Sequence, residues 1–447
     1  MTRCGAMLML AASAAVVVAA DRPLTMLDAT GGKPTYVQYC SSCHGERGDG
    51  TGPAAEFLDP RPRDFTKGRF KLRTTATGQP PTTDDLLRTV ERGIPGTAMP
   101  SFAFLTPEER RKVTAHVLRL ADLLEEPEPT PIPAPGPPPA TSAETIAQGK
   151  QLYEDAGCGS CHGPAGKGDG TEQMKDSEGR PIKARDFTTG AFGGGSERID
   201  LYYRFTTGMD GSPMPGYGDS LDVPQRWALV DYVLSLRTTP PATPLPEDPI
   251  AAGRQVAAKY SCRGCHVLDD GKGGEVGLDF RLAGQKLDPM WVRKYLHGPH
   301  AYGKIYPWRL HRMPQLPLSE GEIDAVARYL AAIGKRPDAA VKLPDPATFP
   351  AAKLEAGKNT VVLTCAQCHA LGKVVQTPLA SQQGPDLIRA AGRVDYEWAK
   401  SWITDPRKYD PKTKMLVPTA LSPDDVENVR MFVWKTSMEA NAEKPGG

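Results

Sequence analysis

Apolar residues in this chain recur at helical spacing in four places, and the same start signal precedes each recurrence. In the third, Val326, Tyr329, Leu330 and Ile333 fall on one helical face, a stripe that must be buried against another element. The start signals are Thr106-Pro107-Glu108-Glu109, Asp222-Val223-Pro224-Gln225, Ser319-Glu320-Gly321-Glu322 and Ser422-Pro423-Asp424-Asp425. Each places an N-cap side chain three residues ahead of a carboxylate or amide, so that the first turn satisfies its own unpaired N–H groups. Upstream of each lies a second segment of helical character containing one glycine, Gly32, Gly149, Gly253 or Gly357. A missing side chain there lets the closing helix cross closely. The pattern predicts an all-α protein of four similar units.

Proline-rich stretches punctuate the pattern. They divide the chain into units at 21–125, 144–238, 250–336 and 351–440, joined by linkers at 126–143, 239–249 and 337–350. The first linker carries eight prolines between Pro127 and Pro139, enough for a polyproline II strut of roughly 40 Å if fully extended. Such a strut either holds the first two units apart or wraps over a compact assembly; docking of related units favours the compact form. Ahead of the first unit, Arg3 and an apolar run from Gly5 to Ala20 read as a secretory signal peptide over residues 1–20. The run is short for a membrane span, though an uncleaved leader would act as an N-terminal anchor. The expected location is periplasmic or otherwise extracytoplasmic.

Composition sharpens the picture. Only 39% of the 447 residues are hydrophobic, against 45 Gly and 44 Pro, so aliphatic packing alone leaves thin cores in units of this size. The cysteines show what else fills them. Apart from Cys4, every cysteine lies in one pattern: Cys40-x-x-Cys43-His44, Cys158-x-x-Cys161-His162, Cys262-x-x-Cys265-His266 and Cys365-x-x-Cys368-His369. Chance predicts on the order of 0.003 such matches. Two thiols three positions apart can add to the two vinyl groups of one haem, and the adjacent His ligates its iron from below. A zinc site needs a second pair of ligands nearby, a redox dithiol does not need the His, and structural disulfides would not space every cysteine alike. Four covalently attached haem c groups are expected.

Between each motif and its closing helix stands a methionine in a Pro-bounded loop: Met99, Met214, Met313 and Met415, at 55, 52, 47 and 46 residues from the motif histidines. One loop Met is an ordinary core filler. Four at matching positions point to thioether sulfur as the sixth iron ligand. Four non-motif histidines exist, His116 in the first unit and His297, His300 and His311 in the third, so the second and fourth units have none to offer. Only in the third do two side chains, Met313 and His311, compete, and Met313 is favoured.

These features resemble class I c-type cytochromes over nearly all of the chain after the leader, as four tandem domains. The first three Met loops are similar to that family's M-P distal loop, whereas Met415 is followed by Leu416 and Val417 before Pro418. The units also fall into two kinds, as in two dihaem halves. Units 1 and 2 share Arg-Asp-Phe-Thr at 63–66 and 185–188 and Gly-x-x-Gly-x-x-Met-Pro at 93–100 and 208–215. Arg63 and Arg185 are therefore candidate partners of haem propionates. Units 3 and 4 instead share an aligned segment opening at Trp291 and Trp398, read as core aromatics beside haem.

The resemblance implies electron transfer: a tetrahaem cytochrome passing single electrons between respiratory redox proteins, a membrane-bound quinol-oxidising complex on one side and a terminal oxidase or reductase on the other. A haem enzyme, a peroxidase or small-molecule reductase with an open iron in the fourth unit, is the alternative from another class. A cytochrome subunit of a larger respiratory complex is a third. No nucleic-acid partner is expected, although basic residues cluster between Arg61 and Arg73. The formal charge of +1 falls to 0 without Arg3, and four haems add roughly −8 in propionates.

Overall fold

The computed structural model describes residues 22–238, 244–302, 310–336, 344–376, 384–411, 413–417 and 420–442. The expected leader at 1–20 and parts of the two later linkers lie outside these residues. Among the described residues there are no strands, only isolated bridges, and the chain forms four helical units.

Each unit opens with a helix (Met26–Tyr39, Ala143–Asp155, Pro249–Lys259, Ala351–Leu363) that runs into a short turn bearing the Cys-His motif. A closing helix (Pro107–Leu120, Val223–Ser235, Glu320–Ile333, Pro423–Ala442) returns across the opening one. The expected glycines lie at these crossings. A Cβ on Gly32, Gly149 or Gly357 would stand 2.0 Å from the carbonyl oxygen of Lys112, Ala228 or Asn428, and one on Gly253 would stand 2.1 Å from the Tyr329 ring. All four start signals form reciprocal caps, Thr106 with Glu109, Asp222 with Gln225, Ser319 with Glu322 and Ser422 with Asp425. Every unit has its own apolar cluster.

The helical pattern misses a middle helix in every unit: Thr83–Arg92, Arg198–Thr207, Pro289–His297 and Tyr396–Thr404. The first two start on capping boxes, Thr82 with Asp85 and Glu197 with Asp200. The latter two start under Asp288 and Asp395.

The units pack in pairs related by approximate two-fold exchange. Between units 1 and 2, Arg73 is fully buried, donates to the Thr207 carbonyl at 2.8 Å and pairs with Asp210 at 2.9 Å. In return, Arg204 donates to the carbonyls of Lys71 and Arg73 at 3.0 and 2.6 Å. Between units 3 and 4, Leu287 and Val394 form an antiparallel bridge, flanked by Asp288 N–H to the Arg393 carbonyl (2.8 Å) and Asp395 N–H to the Lys286 carbonyl (2.9 Å). Unit 1 also touches unit 3: Arg312 N–H donates to the Gln38 carbonyl at 2.8 Å, and Phe104 stacks on His300 with centroids 5.2 Å apart. Spatial order along these contacts is therefore 2–1–3–4.

The first linker lies along units 1 and 2. Ile132 N–H donates to the Thr74 carbonyl at 2.8 Å, Glu128 accepts from Thr83 N–H at 2.6 Å, and Arg198 donates to the Pro139 carbonyl at 2.6 Å. This is the wrapped geometry rather than the free strut.

Candidate functional site

The opening helix ends at the motif in each unit, which turns the two cysteines and the histidine to one side. All four imidazoles then find the same kind of partner. His44 Nδ1 donates to the Arg63 carbonyl (3.0 Å), His162 to Arg185 (3.3 Å), His266 to Leu278 (2.7 Å) and His369 to Pro385 (2.8 Å). A backbone acceptor on Nδ1 fixes the tautomer and directs the Nε2 lone pair away from it, as metal-ligating imidazoles require. Burial pushes His44, His162 and His369 below the ordinary histidine range, which keeps the ring neutral.

The shared Arg-Asp-Phe-Thr segment can now be taken apart residue by residue. The Arg63 and Arg185 carbonyls receive the imidazole N–H. Asp64 and Asp186 cap a short 3-10 turn, each accepting from the Thr N–H at 2.9 Å and the Thr hydroxyl at 2.6 Å. Phe65 and Phe187 stack on His44 and His162 with centroids 4.4 Å apart. Sequence reasoning singled out the arginines and missed these phenylalanines, although the repeated segment was the available signal. Phe280 takes the same position on His266, at 4.6 Å.

A cavity of about 850 Å³ runs through units 1 and 2. It is lined by Cys40, Cys43, His44 and Met99 from the first and by Cys158, Cys161, His162 and Met214 from the second. The expected ligand sets of both units thus face one continuous space. In both loops the Met carbonyl accepts a backbone N–H five residues upstream, Ile94 to Met99 at 3.0 Å and Met209 to Met214 at 3.1 Å. The donor set fits haem. An imidazole with its Nδ1 engaged and a soft thioether line an apolar space of ligand size, and the cysteines are poor thiolates: burial pushes Cys40 up to about 12 and raises Cys43 and Cys158. Reactive dithiols and thiolate metal sites have lowered pKa values; a thioether needs none.

In unit 3, Met313 packs against the same cluster as Cys262, Leu278 and Trp291. The three spare histidines are engaged elsewhere: His311 Nδ1 donates to the Val37 carbonyl of unit 1 at 3.0 Å, His300 meets Gln315 at 3.2 Å, and His297 meets Glu320 at 3.4 Å. Cys265 lies close enough to Cys43 that burial and that neighbour together push its thiol up to about 12. In unit 4, Met415 is half-buried, and its N–H donates to Thr413 Oγ1 at 3.2 Å, the geometry of Met99 on Thr97 Oγ1 at 3.2 Å. Trp291 and Trp398 each anchor an aromatic trio, with Tyr295 and Tyr302 in one and Trp402 and Tyr409 in the other. Lys286 reaches from unit 3 over the rings of Trp398 and Trp402.

Comparison with known proteins identifies cytochrome c domains in the chain. Residues 146–237 and 250–333 match the family described as Cytochrome c, and residues 27–117 match Cytochrome C oxidase, cbb3-type, subunit III. A Cbb3-type cytochrome c oxidase subunit CcoP of Azospirillum sp. (strain B510) is 25% identical over 229 residues, 48% of this chain. The match spans 64% of that relative's length. A chain of the reducing HAO-like protein complex of Kuenenia stuttgartiensis is 42% identical, with a TM-score of 0.45, over 48% of this chain and 97% of its own.

Proposed function

From the premise that this chain belongs to the c-type cytochromes and repeats their all-α domain in tandem, we propose that it is an extracytoplasmic tetrahaem carrier passing single electrons between respiratory redox proteins. The observation that carries the reading is the fourfold imidazole geometry, every motif His donating from Nδ1 to a main-chain carbonyl. Bound haem iron supplies one-electron chemistry with little ligand rearrangement. The chain's own residues do the rest. The cysteine pairs would anchor haem covalently, His44, His162, His266 and His369 would ligate its iron, and Met99, Met214, Met313 and Met415 would offer it thioether sulfur. Phe65, Phe187 and Phe280 wall the imidazoles from water and keep their planes fixed.

The extracytoplasmic location is supported by the leader-like residues 1–20 and by the family's covalent haem chemistry. No helix among the described residues is long and apolar enough to cross a membrane. A quinol-oxidising complex as donor and a terminal oxidase or reductase as acceptor fit such a carrier. Similarity to a cbb3-type oxidase subunit favours, as a second reading, a cytochrome subunit within a larger respiratory complex.

The test is a haem count. The denatured holoprotein should keep its colour and exceed the polypeptide mass by four haem units. Three or fewer in fully matured material would overturn the tetrahaem reading. The ferric protein should also show the weak sulfur-to-iron charge-transfer band at the near-infrared edge, stepped down by Met99→His, Met214→His and Met313→His. Carbon monoxide binding to the reduced wild type would instead reveal an open iron and favour an enzyme.

A further inference from the structure

Arg63 and Arg185 occupy equivalent places, and in each the carbonyl serves the imidazole of its own unit. Their side chains do the opposite. Arg185 crosses into unit 1 and donates from Nη1 to the Gly96 carbonyl at 3.1 Å. Arg63 crosses into unit 2, where a Cβ on Gly211 would lie 2.6 Å from its Nη1, just as one on Gly96 would lie 2.3 Å from Nη1 of Arg185. Gly96 and Gly211 precede Met99 and Met214 by three residues and hold φ of +75° and +76°, a conformation natural only to glycine. Each guanidinium therefore rests on the loop that carries the neighbour's methionine.

Both arginines line the shared cavity, as does Lys71. None of the three is ion-paired among the described residues. Asp176 and Glu178, whose charges act on Arg63 along with that of Asp64, are engaged by Arg180 at 2.8 Å each. The three half-buried cations, with Arg61, Lys183 and Arg204, outnumber the two carboxylates of the lining, Asp59 and Asp186, so the cavity favours negative charge, and the propionates of haem are the anions that the proposed function brings there.

We propose that units 1 and 2 exchange their cationic clamps: Arg185 neutralises the propionates of the haem held by His44, and Arg63 those of the haem held by His162. The inference rests on the tetrahaem reading. It makes the two arginines positioning residues that act in trans and tie the potential of each site to the docking of its neighbour.

The test is a redox titration of the holoprotein with two tags. Met99→His and Met214→His each replace the soft ligand of one unit and move its own step to lower potential. Added to the first tag, Arg185→Leu should lower that tagged step about tenfold in the reduction equilibrium, about 59 mV for one electron, because loss of a nearby cation favours the ferric state. Added to the second tag, it should change that step less than twofold. Arg63→Leu should show the mirror result, and Arg185→Lys should restore most of the shift. An Arg185→Leu effect on the Met214-tagged step alone, or on neither, overturns the exchange. If Arg185→Leu matures without one haem, peptide mapping decides: loss at Cys40 and Cys43 supports the exchange, and loss at Cys158 and Cys161 overturns it. A wild-type mass short of four haems would count against the tetrahaem reading instead.

Discussion

His116 is a buried base with one committed nitrogen. Its ring lies 4.9 Å from that of Tyr36, Nδ1 donates to the Ala29 carbonyl at 3.1 Å, and burial, reinforced by Arg119 and Lys33, holds its pKa below the ordinary value. The unfolded chain takes up this proton near pH 6.5, while the folded unit resists it. Between the folded pKa and about 6.5 the unfolded state binds more protons, so stability falls as pH falls through that window and is flat above it. Thermal unfolding of unit 1 should therefore lose midpoint from about pH 6.5 downward, and His116→Gln should flatten that slope. An unchanged slope in the variant would assign the acid sensitivity to other groups. Sequence alone placed His116 in the first unit and showed that it lies outside the Cys-His motif. It did not show that the ring faces the opening helix, because burial of one polar residue in an apolar stripe has no periodic signature.

At the level of elements, crossing glycines and reciprocal caps were legible because both are local: a cap needs residues three apart, and a close crossing needs one missing side chain. Ser422 and Asp425 show the first kind in full, with Ser422 N–H donating to the Asp425 carboxylate at 2.9 Å and Asp425 N–H to Ser422 Oγ at 3.2 Å. Ser422→Ala should cost about 1 kcal/mol in unit 4 and lower its unfolding midpoint without altering the haem spectrum. A spectral change at full helicity would mean that the cap acts on the Met415 loop instead. The middle helices were harder to read. Thr82 and Asp85 are a visible box, but Thr83–Arg92 carries only a narrow apolar face, with Asp85 and Leu86 as its buried residues. The motif cysteines and histidines stood out in the sequence because covalent attachment of haem demands adjacent residues. Phe65 was hidden inside a segment whose charged members drew the eye, and the Leu278 and Pro385 carbonyls were hidden because any residue supplies a carbonyl.

At the level of the molecule, the linker and the order of units depend on long-range contacts that no repeat encodes. Arg185 and Gly96 are 89 positions apart and meet through one side chain and one carbonyl. The linker bonds at Glu128, Ile132 and Pro139 predict slow proteolysis between Pro127 and Ala143 and a single-globule scattering profile. A dumbbell profile with early release of a one-haem fragment would overturn the wrapped arrangement. The continuous cavity of units 1 and 2 also bears on how such a molecule is made. A flat tetrapyrrole must enter its groove edge-on before two thioethers can form, and here each groove is partly roofed by the other unit. If both cysteine pairs receive haem, as proposed, the grooves are more open while the two units are still apart, and docking then closes both at once.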